Sequence, residues 1–352
     1  MRIVQFEIPG SGRRVGVVQG EVVRDITSVR PELTHVVEAA RTAHRENCLL
    51  AELLSELAAG QAATEWNYGE LLGARPGAGQ PFLQPPVDDP DPHRVLVTGT
   101  GLTHTGSMQS RNEMHGGAAA EDETPRSEPE TDSARMFQIG LEGGRPAPGQ
   151  RGASPEWFYK GNGEILRGPN SPLELPAFAL DGGEEPELVG CYLIDFAGQP
   201  RRLGYALGNE WSDHATERIN YLYLAPSKLR TCAVGPELIT GFEFDSLELR
   251  CVVEREGATV YDSGPLKTGQ QFMSHSLANC EDHHFKYPQH RQPGDVHLHF
   301  FGTSQLSFST RSWKFADGDV VRIESPGFSA PLVNPVVAGD PALAAPVEIQ
   351  PG

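Results

Sequence analysis

The sequence has few cysteines, no long apolar run and no excess of positive charge, and each shortage removes a class of protein. Five cysteines, Cys48, Cys191, Cys232, Cys251 and Cys280, are scattered, odd in number and free of any CxxC pair, so neither a disulfide framework nor a thiolate zinc site is encoded. A reducing, cytoplasmic setting is expected. Nowhere does an apolar run reach the roughly eighteen residues that a membrane helix needs. Met1 to Gly10 also lacks a basic region followed by an apolar stretch, so neither a membrane span nor an export signal is expected. Lys and Arg number 29 against 47 Asp and Glu, for a formal net charge of −18 at pH 7. That balance excludes nucleic acid and anionic membrane surfaces as partners. A small anionic substrate stays compatible if a bound cation and a few basic side chains reverse the potential locally.

Residues 1–85 read as a small N-terminal α/β unit. Arg2 to Glu7 and Arg14 to Arg24 alternate like strands, and Val36 to Ala59 has helical periodicity. Between Ala74 and His93, ARPGAGQPFLQPPVDDPDPH is too rich in Pro, Gly and Asp for a helix or central strand to persist, and marks a boundary. The run from Val95 then reads as a buried strand entering GTGLTHTGSMQSRNEMH, a glycine-punctuated loop that passes into a helix. The acidic stretch 116–133 lacks large apolar groups and is expected to be a mobile loop that closes over a loaded site. Beyond it, short strands bounded by Gly and Pro recur at 187–194, 203–207, 247–254, 295–301 and 319–324. The expected class is therefore β-rich α+β, a sandwich or roll over 86–336, with 337–352 as a C-terminal tail.

The acidic residues before the first of these strands carry the chemistry. In DGGEEPELVGCYLID, Glu185 and Glu187 are two apart, which on a strand places them on one face roughly 6–7 Å apart, with Glu184 pointing away. Pro186 between them removes a ladder donor and suits an edge or a strand start. A third acid, Glu210, lies in LGNEWSDHATE after the strand-like Leu203 to Leu207. Three carboxylates make a hard oxygen site of the kind Mg²⁺, Mn²⁺ or Ca²⁺ prefers. Isolated ExE pairs in an acidic protein are most often surface charges, so spacing alone does not decide the matter.

The ordered phrases EPELVGCYLI, GNEWSDHATE, SKLRTCAVGPELI, PGDVHLHFFGTSQLSF and DGDVVRIESPGFSAPLVNPV resemble the fumarylacetoacetate hydrolase superfamily over about residues 95–336. TGTGLTH, PEWFYKGNG and MSHSLANCEDHHFKY resemble its 2-keto-3-deoxy-arabonate dehydratase-like branch. The resemblance implies a mixed β-sandwich roll, a metal-bound 2-oxo acid and a homodimer. It places metal ligands on Glu185, Glu187 and Glu210, the last standing where the family usually has Asp. It also places family lysines on Lys160 and Lys228, and a substrate-carboxylate turn on Thr303.

A 2-oxo acid that chelates the metal through C1 and C2 forms an enolate at C3. With a C4 hydroxyl the outcome is loss of water, and with a C4 ketone it is C–C hydrolysis. The first reading is a Mg²⁺-dependent dehydratase of a 2-keto-3-deoxy sugar acid. The second is a hydrolase of acylpyruvates or 2,4-dioxo acids, and a third, of another class, is a non-catalytic sugar-acid binding protein. The base is expected from the glycine-rich loop, as His104 or His115, with Arg111 as a carboxylate clamp. Lys228 is expected to neutralise oxyanion charge. His297 and His299 in VHLHFFG could suggest zinc, but alternation with apolar residues favours structural roles. Gly99 and Gly101 fail as a dinucleotide fingerprint because the next glycine, Gly106, comes too late.

Overall fold

The computed structural model describes residues 1–109 and 131–352. Most of the acidic stretch 116–133 therefore lies outside the described residues, as do Arg111 and His115.

The alternation at the N-terminus produces three strands: β1 (Arg2–Ile8), β2 (Gly12–Gln19) and β3 (Val22–Asp25). The chain reverses between β2 and β3 at Gly20, whose φ of 64° lies where glycine carries no Cβ penalty. The helical periodicity of 36–59 resolves into two helices, Val36–Arg45 and Leu50–Ala59, which bury Val36, Val37, Ala39, Leu53 and Leu54. Downstream come β4 (Thr64–Asn67), β5 (Phe82–Gln84), β6 (Val95–Gly101), β7 (Glu156–Asn162), β8 (Leu166–Arg167) and β9 (Leu173–Leu175). The remaining strands are β10 (Pro186–Ile194), β11 (Pro200–Asn209), β12 (Cys232–Ile239), β13 (Leu247–Arg255), β14 (Ala258–Asp262), β15 (Leu266–Thr268), β16 (Val296–Phe300), β17 (Val320–Glu324) and β18 (Leu332–Ala338).

They form two mixed sheets. The larger runs β4-β3-β2-β1-β12-β11-β10-β16-β6-β7, with β5 on β1 and β8 on β12. The smaller runs β14-β13-β17-β18-β9, with β15 on β13. Most neighbours are antiparallel, while β16 with β6, β12 with β8 and β18 with β9 are parallel. This is the β-rich α+β architecture expected from the strand pattern. The N-terminal strands are continuous with the rest, because Arg2 and Ile3 of β1 pair with Ile239 and Leu238 of β12.

Alternation along the central strands feeds two cores. Val189, Cys191 and Leu193 of β10 join Val296, Leu298 and Phe300 of β16 and the helical Val36, Val37 and Leu54. Leu188, Tyr192 and Ile194 face the opposite way, onto Leu249, Cys251 and Val253 of β13 and Val321 and Ile323 of β17. Each fully buried side chain of this size contributes ~1.5–3 kcal/mol, so the scaffold is held by apolar burial and not by the polar cluster at its strand ends. That cluster lies where β10 begins, β11 ends and the chain leaves β16.

Candidate active site

Pro186 is the first residue of β10, where a missing ladder donor costs least. Glu185 therefore stands just before the strand and Glu187 just inside it. Two hydrogen bonds stitch this entry to the exit of β11. The Glu185 N–H donates to Asn209 Oδ1 at 3.1 Å, and the Glu210 N–H donates to the Glu185 carbonyl at 3.0 Å. The result brings carboxylate oxygens of Glu185, Glu187 and Glu210 within 4.8 Å of one another, all three side chains being buried. Among the described residues, no other group of three or more His, Cys, Asp or Glu converges so. Glu184 turns away, as its parity predicts, and accepts the N–H and Oγ–H of Ser307 at 2.6 and 2.8 Å.

Two buried lysines face the acids. Lys228, at the end of the helix Leu224–Lys228, donates to Glu185 Oε1 at 2.5 Å and to Glu210 Oε2 at 2.8 Å, with its ammonium 4.7 Å from the centre of the Phe158 ring. Lys160, on β7, lies 2.9 Å from Glu210 Oε1 and donates to the carbonyls of Trp211 and Lys228 at 2.5 and 3.0 Å. Glu187 is bonded differently, accepting the Gly302 N–H at 2.7 Å from the loop after β16. Three carboxyl groups face two ammonium groups in a buried site, one carboxyl more than the lysines pair with.

The titration behaviour identifies the carboxyl left over. Burial, reinforced by the charges of Glu210 and Glu185, pushes the Glu187 carboxyl well above the usual carboxylate range. Burial alone would raise Glu185 too, but the Lys228 ammonium and the hydrogen bond from His214 outweigh it and hold Glu185 below that range. A buried carboxyl that no lysine pairs with, raised by its two acidic neighbours and converging with them as three hard donors, fits a divalent cation.

His214 was not singled out by spacing. Its Nε2 lies 3.0 Å from Glu185 Oε1, and its buried Nδ1 has no hydrogen-bond partner. A Cβ on Gly183 would stand 2.0 Å from that Nδ1, so the imidazole reaches Glu185 only because residue 183 has no side chain. Nothing in the order of residues signals this contact, which depends on two loops meeting.

The remaining candidates are dispersed. His104 follows β6 and is fully buried, with Nδ1 2.8 Å from Thr103 Oγ1 and Nε2 3.2 Å from Thr268 Oγ1. Burial draws its pKa down to about 4, so it is neutral at pH 7. Among the described residues no hydrogen bond joins it to the acidic cluster. Thr303 follows the Gly302 that binds Glu187, and its hydroxyl donates to the Gln305 carbonyl at 2.9 Å. His299 is held between Thr98 and Thr100 at 2.8 and 2.6 Å, and His297 Nδ1 lies 2.9 Å from His284 Nε2. Both act as packed structural groups.

No family model matches the sequence. A curated relative from Haloferax volcanii, described as "Probable 2-keto-3-deoxyxylonate dehydratase", is 26% identical over 178 residues, which are 49% of this chain and 57% of the relative. The chain thus matches little more than half the length of that relative. The solved structure of a 2-keto-3-deoxy-D-arabinonate dehydratase complexed with magnesium and 2,5-dioxopentanoate superposes with a TM-score of 0.67 at 18% identity, over 96% of this chain and 99% of the other. A maleylpyruvate hydrolase from Sphingobium in complex with manganese(II) and pyruvate gives 0.56 at 17% identity, over 97% and 100%. At these identities the structures establish the fold, and it is the one the sequence motifs led us to expect.

Proposed function

We propose that the chain is a divalent-metal-dependent dehydratase acting on a 2-keto-3-deoxy sugar acid, with Glu185, Glu187 and Glu210 holding Mg²⁺ or Mn²⁺. The observation that carries this reading is the buried convergence of those three carboxylates on one point, with two lysines alongside. The curated relative and the magnesium-bound neighbour, both named as dehydratases of 2-keto-3-deoxypentonic acids, support it. The bound metal would supply positive charge against the C1 carboxylate and C2 carbonyl of the substrate, making the C3 proton easier to remove.

The residues of the chain do the rest. Lys228, shared between Glu185 and Glu210, places its ammonium beside the developing oxyanion, and Lys160 keeps Glu210 and the backbone of Trp211 and Lys228 in register. Gly302 orients Glu187. The base at C3 comes from His104 or His115, and the substrate carboxylate is held by Arg111 and the Thr303 turn. Five free cysteines suit a cytoplasmic setting, and we assign the working unit as a homodimer, to be checked by sedimentation.

The test is a panel of 2-keto-3-deoxy acids and acylpyruvates with Mg²⁺. The expected result is a 2,5-dioxo product from a 2-keto-3-deoxypentonate. Pyruvate release from an acylpyruvate, without dehydration, would assign C–C hydrolysis instead. Metal and acid binding without turnover would leave only a binding protein.

A further inference from the structure

Outside the metal cluster, the turn His214–Glu217 also borders a second cavity. It has a volume of about 420 Å³ and is lined by Asp181, Arg218, Phe308, Arg311, Trp313 and Lys314, together with smaller neighbours. None of the three metal-site glutamates, Lys160 or Lys228 lines it.

Its charges do not balance. Asp181 is the one carboxylate in the lining, and it is fully engaged: Oδ1 accepts the N–H groups of Gly182 and Phe315 at 2.8 and 3.1 Å, and Oδ2 accepts Arg311 Nη2 at 3.0 Å. Glu184 and Asp319 also act on Arg311 electrostatically, but they hold Ser307 and Arg255. Arg218 and Lys314 have no carboxylate within ion-pair distance among the described residues. Arg218 lies 5.3 Å from the Phe308 ring centre, and Lys314 donates to the Leu180 carbonyl at 3.0 Å. The Arg311 side chain is 2% exposed, and its Nε and Nη1 make no hydrogen bond. It is packed against the rings of Phe308, Trp313 and Phe315 at 5.6, 4.7 and 4.6 Å.

A chain with a net charge of −18 thus gathers three cations and two aromatic faces in one small cavity, leaving two positive charges uncompensated. The buried Arg311 nitrogens without a partner, beside two cations that no carboxylate pairs with, are satisfied by a bound anion. We propose that this cavity is a binding site for a small organic anion carrying two negative charges, a dicarboxylate or a phosphate ester, whose body lies against Trp313 and Phe308. The volume admits a small molecule, and the acidity of the whole chain excludes a polyanion. The site is independent of the reaction proposed for the metal cluster.

The test uses the full chain freed of metal by chelation and dialysed into low-salt, phosphate-free buffer. Inorganic phosphate is titrated in one arm and succinate in the other, followed by calorimetry and tryptophan fluorescence. At least one should bind saturably at one site per chain. Arg218→Ala and Lys314→Ala, both at exposed positions that the fold does not need, should each weaken that binding about tenfold or more. Arg75→Ala, which removes an exposed charge elsewhere, should leave it unchanged. Absence of saturable binding in both arms would overturn the proposal. So would unchanged affinity in the two cavity variants, or equal weakening by Arg75→Ala.

Discussion

Glu187 is the residue on which metal binding and stability pull in opposite directions. Its carboxyl is raised by burial and by Glu210 and Glu185, so the folded chain holds that proton more tightly than the unfolded chain does. In the metal-free protein its contribution to stability is therefore fully present below the unfolded value, roughly 4.3, and is lost as pH rises through the higher folded value. Glu187→Gln keeps an acceptor for Gly302 and removes the ionisation. Scanned with chelator present, the variant should melt above wild type at pH 8, with the gap closing towards pH 4. A constant gap at every pH would show that Glu187 does not titrate as described. With Mg²⁺ added, only wild type should gain stability, because the variant has lost one of three anionic ligands.

Glu210 separates reach from charge. The Glu210 carboxylate is anchored by Lys160 at one oxygen and Lys228 at the other, so the cluster is built to the length of a Glu side chain at this position. Octahedral Mg²⁺ is strict, with oxygen ligands at about 2.0–2.1 Å. Glu210→Asp should weaken Mg²⁺ binding by retracting the carboxylate and should lower turnover. Glu210→Gln should weaken binding through lost charge while keeping the position. Calorimetric Mg²⁺ titration reads both, and wild-type affinity and turnover in Glu210→Asp would sink the length argument.

At the scale of elements, the site depends on how the start of β10 is fastened to the end of β11. Asn209 Oδ1 accepts the Glu185 N–H in a buried position, and removing one partner of such a bond costs about 1–3 kcal/mol. Asn209→Ala should lower the melting temperature and weaken metal binding together, since Glu185 loses its backbone anchor. Denaturant unfolding and metal titration test this, and a variant that loses stability alone would show that the anchor does not position Glu185. Much of this geometry could be read from residue order. β10, β13, β16 and β17 fall within a residue or two of the alternating runs, because β-branched and aromatic residues bounded by Gly and Pro define a strand locally. Pro186 likewise marks a strand start. What could not be read is set by pairing across long separations. Lys160 meets Glu210 only because the sheet order brings β7, through β6 and β16, to the same end as β10 and β11, and His214 reaches Glu185 only through the gap left at Gly183. No local period encodes either.

At the scale of the whole molecule, the larger sheet runs from β4 at one edge to β7 at the other without a break, and β1 and β12 pair across more than two hundred residues of sequence. The small unit expected over residues 1–85 shares its sheet with the residues that hold the acidic cluster. Scanning calorimetry should therefore show one cooperative transition, and saturating Mg²⁺, at about a hundred times its Kd, should stabilise the whole of it by about 2.7 kcal/mol. Two transitions, of which metal moves only one, would show that the first 85 residues fold separately. The Lys228 ammonium, lying across Glu185 and Glu210, has a further consequence for a cell whose magnesium supply fluctuates. It serves as an internal counterion for two of the three carboxylates proposed to hold the ion, so the chain does not have to unfold when the ion departs. Starvation for magnesium would then silence the protein without destroying it, and resupply would restore activity from the standing pool without new synthesis.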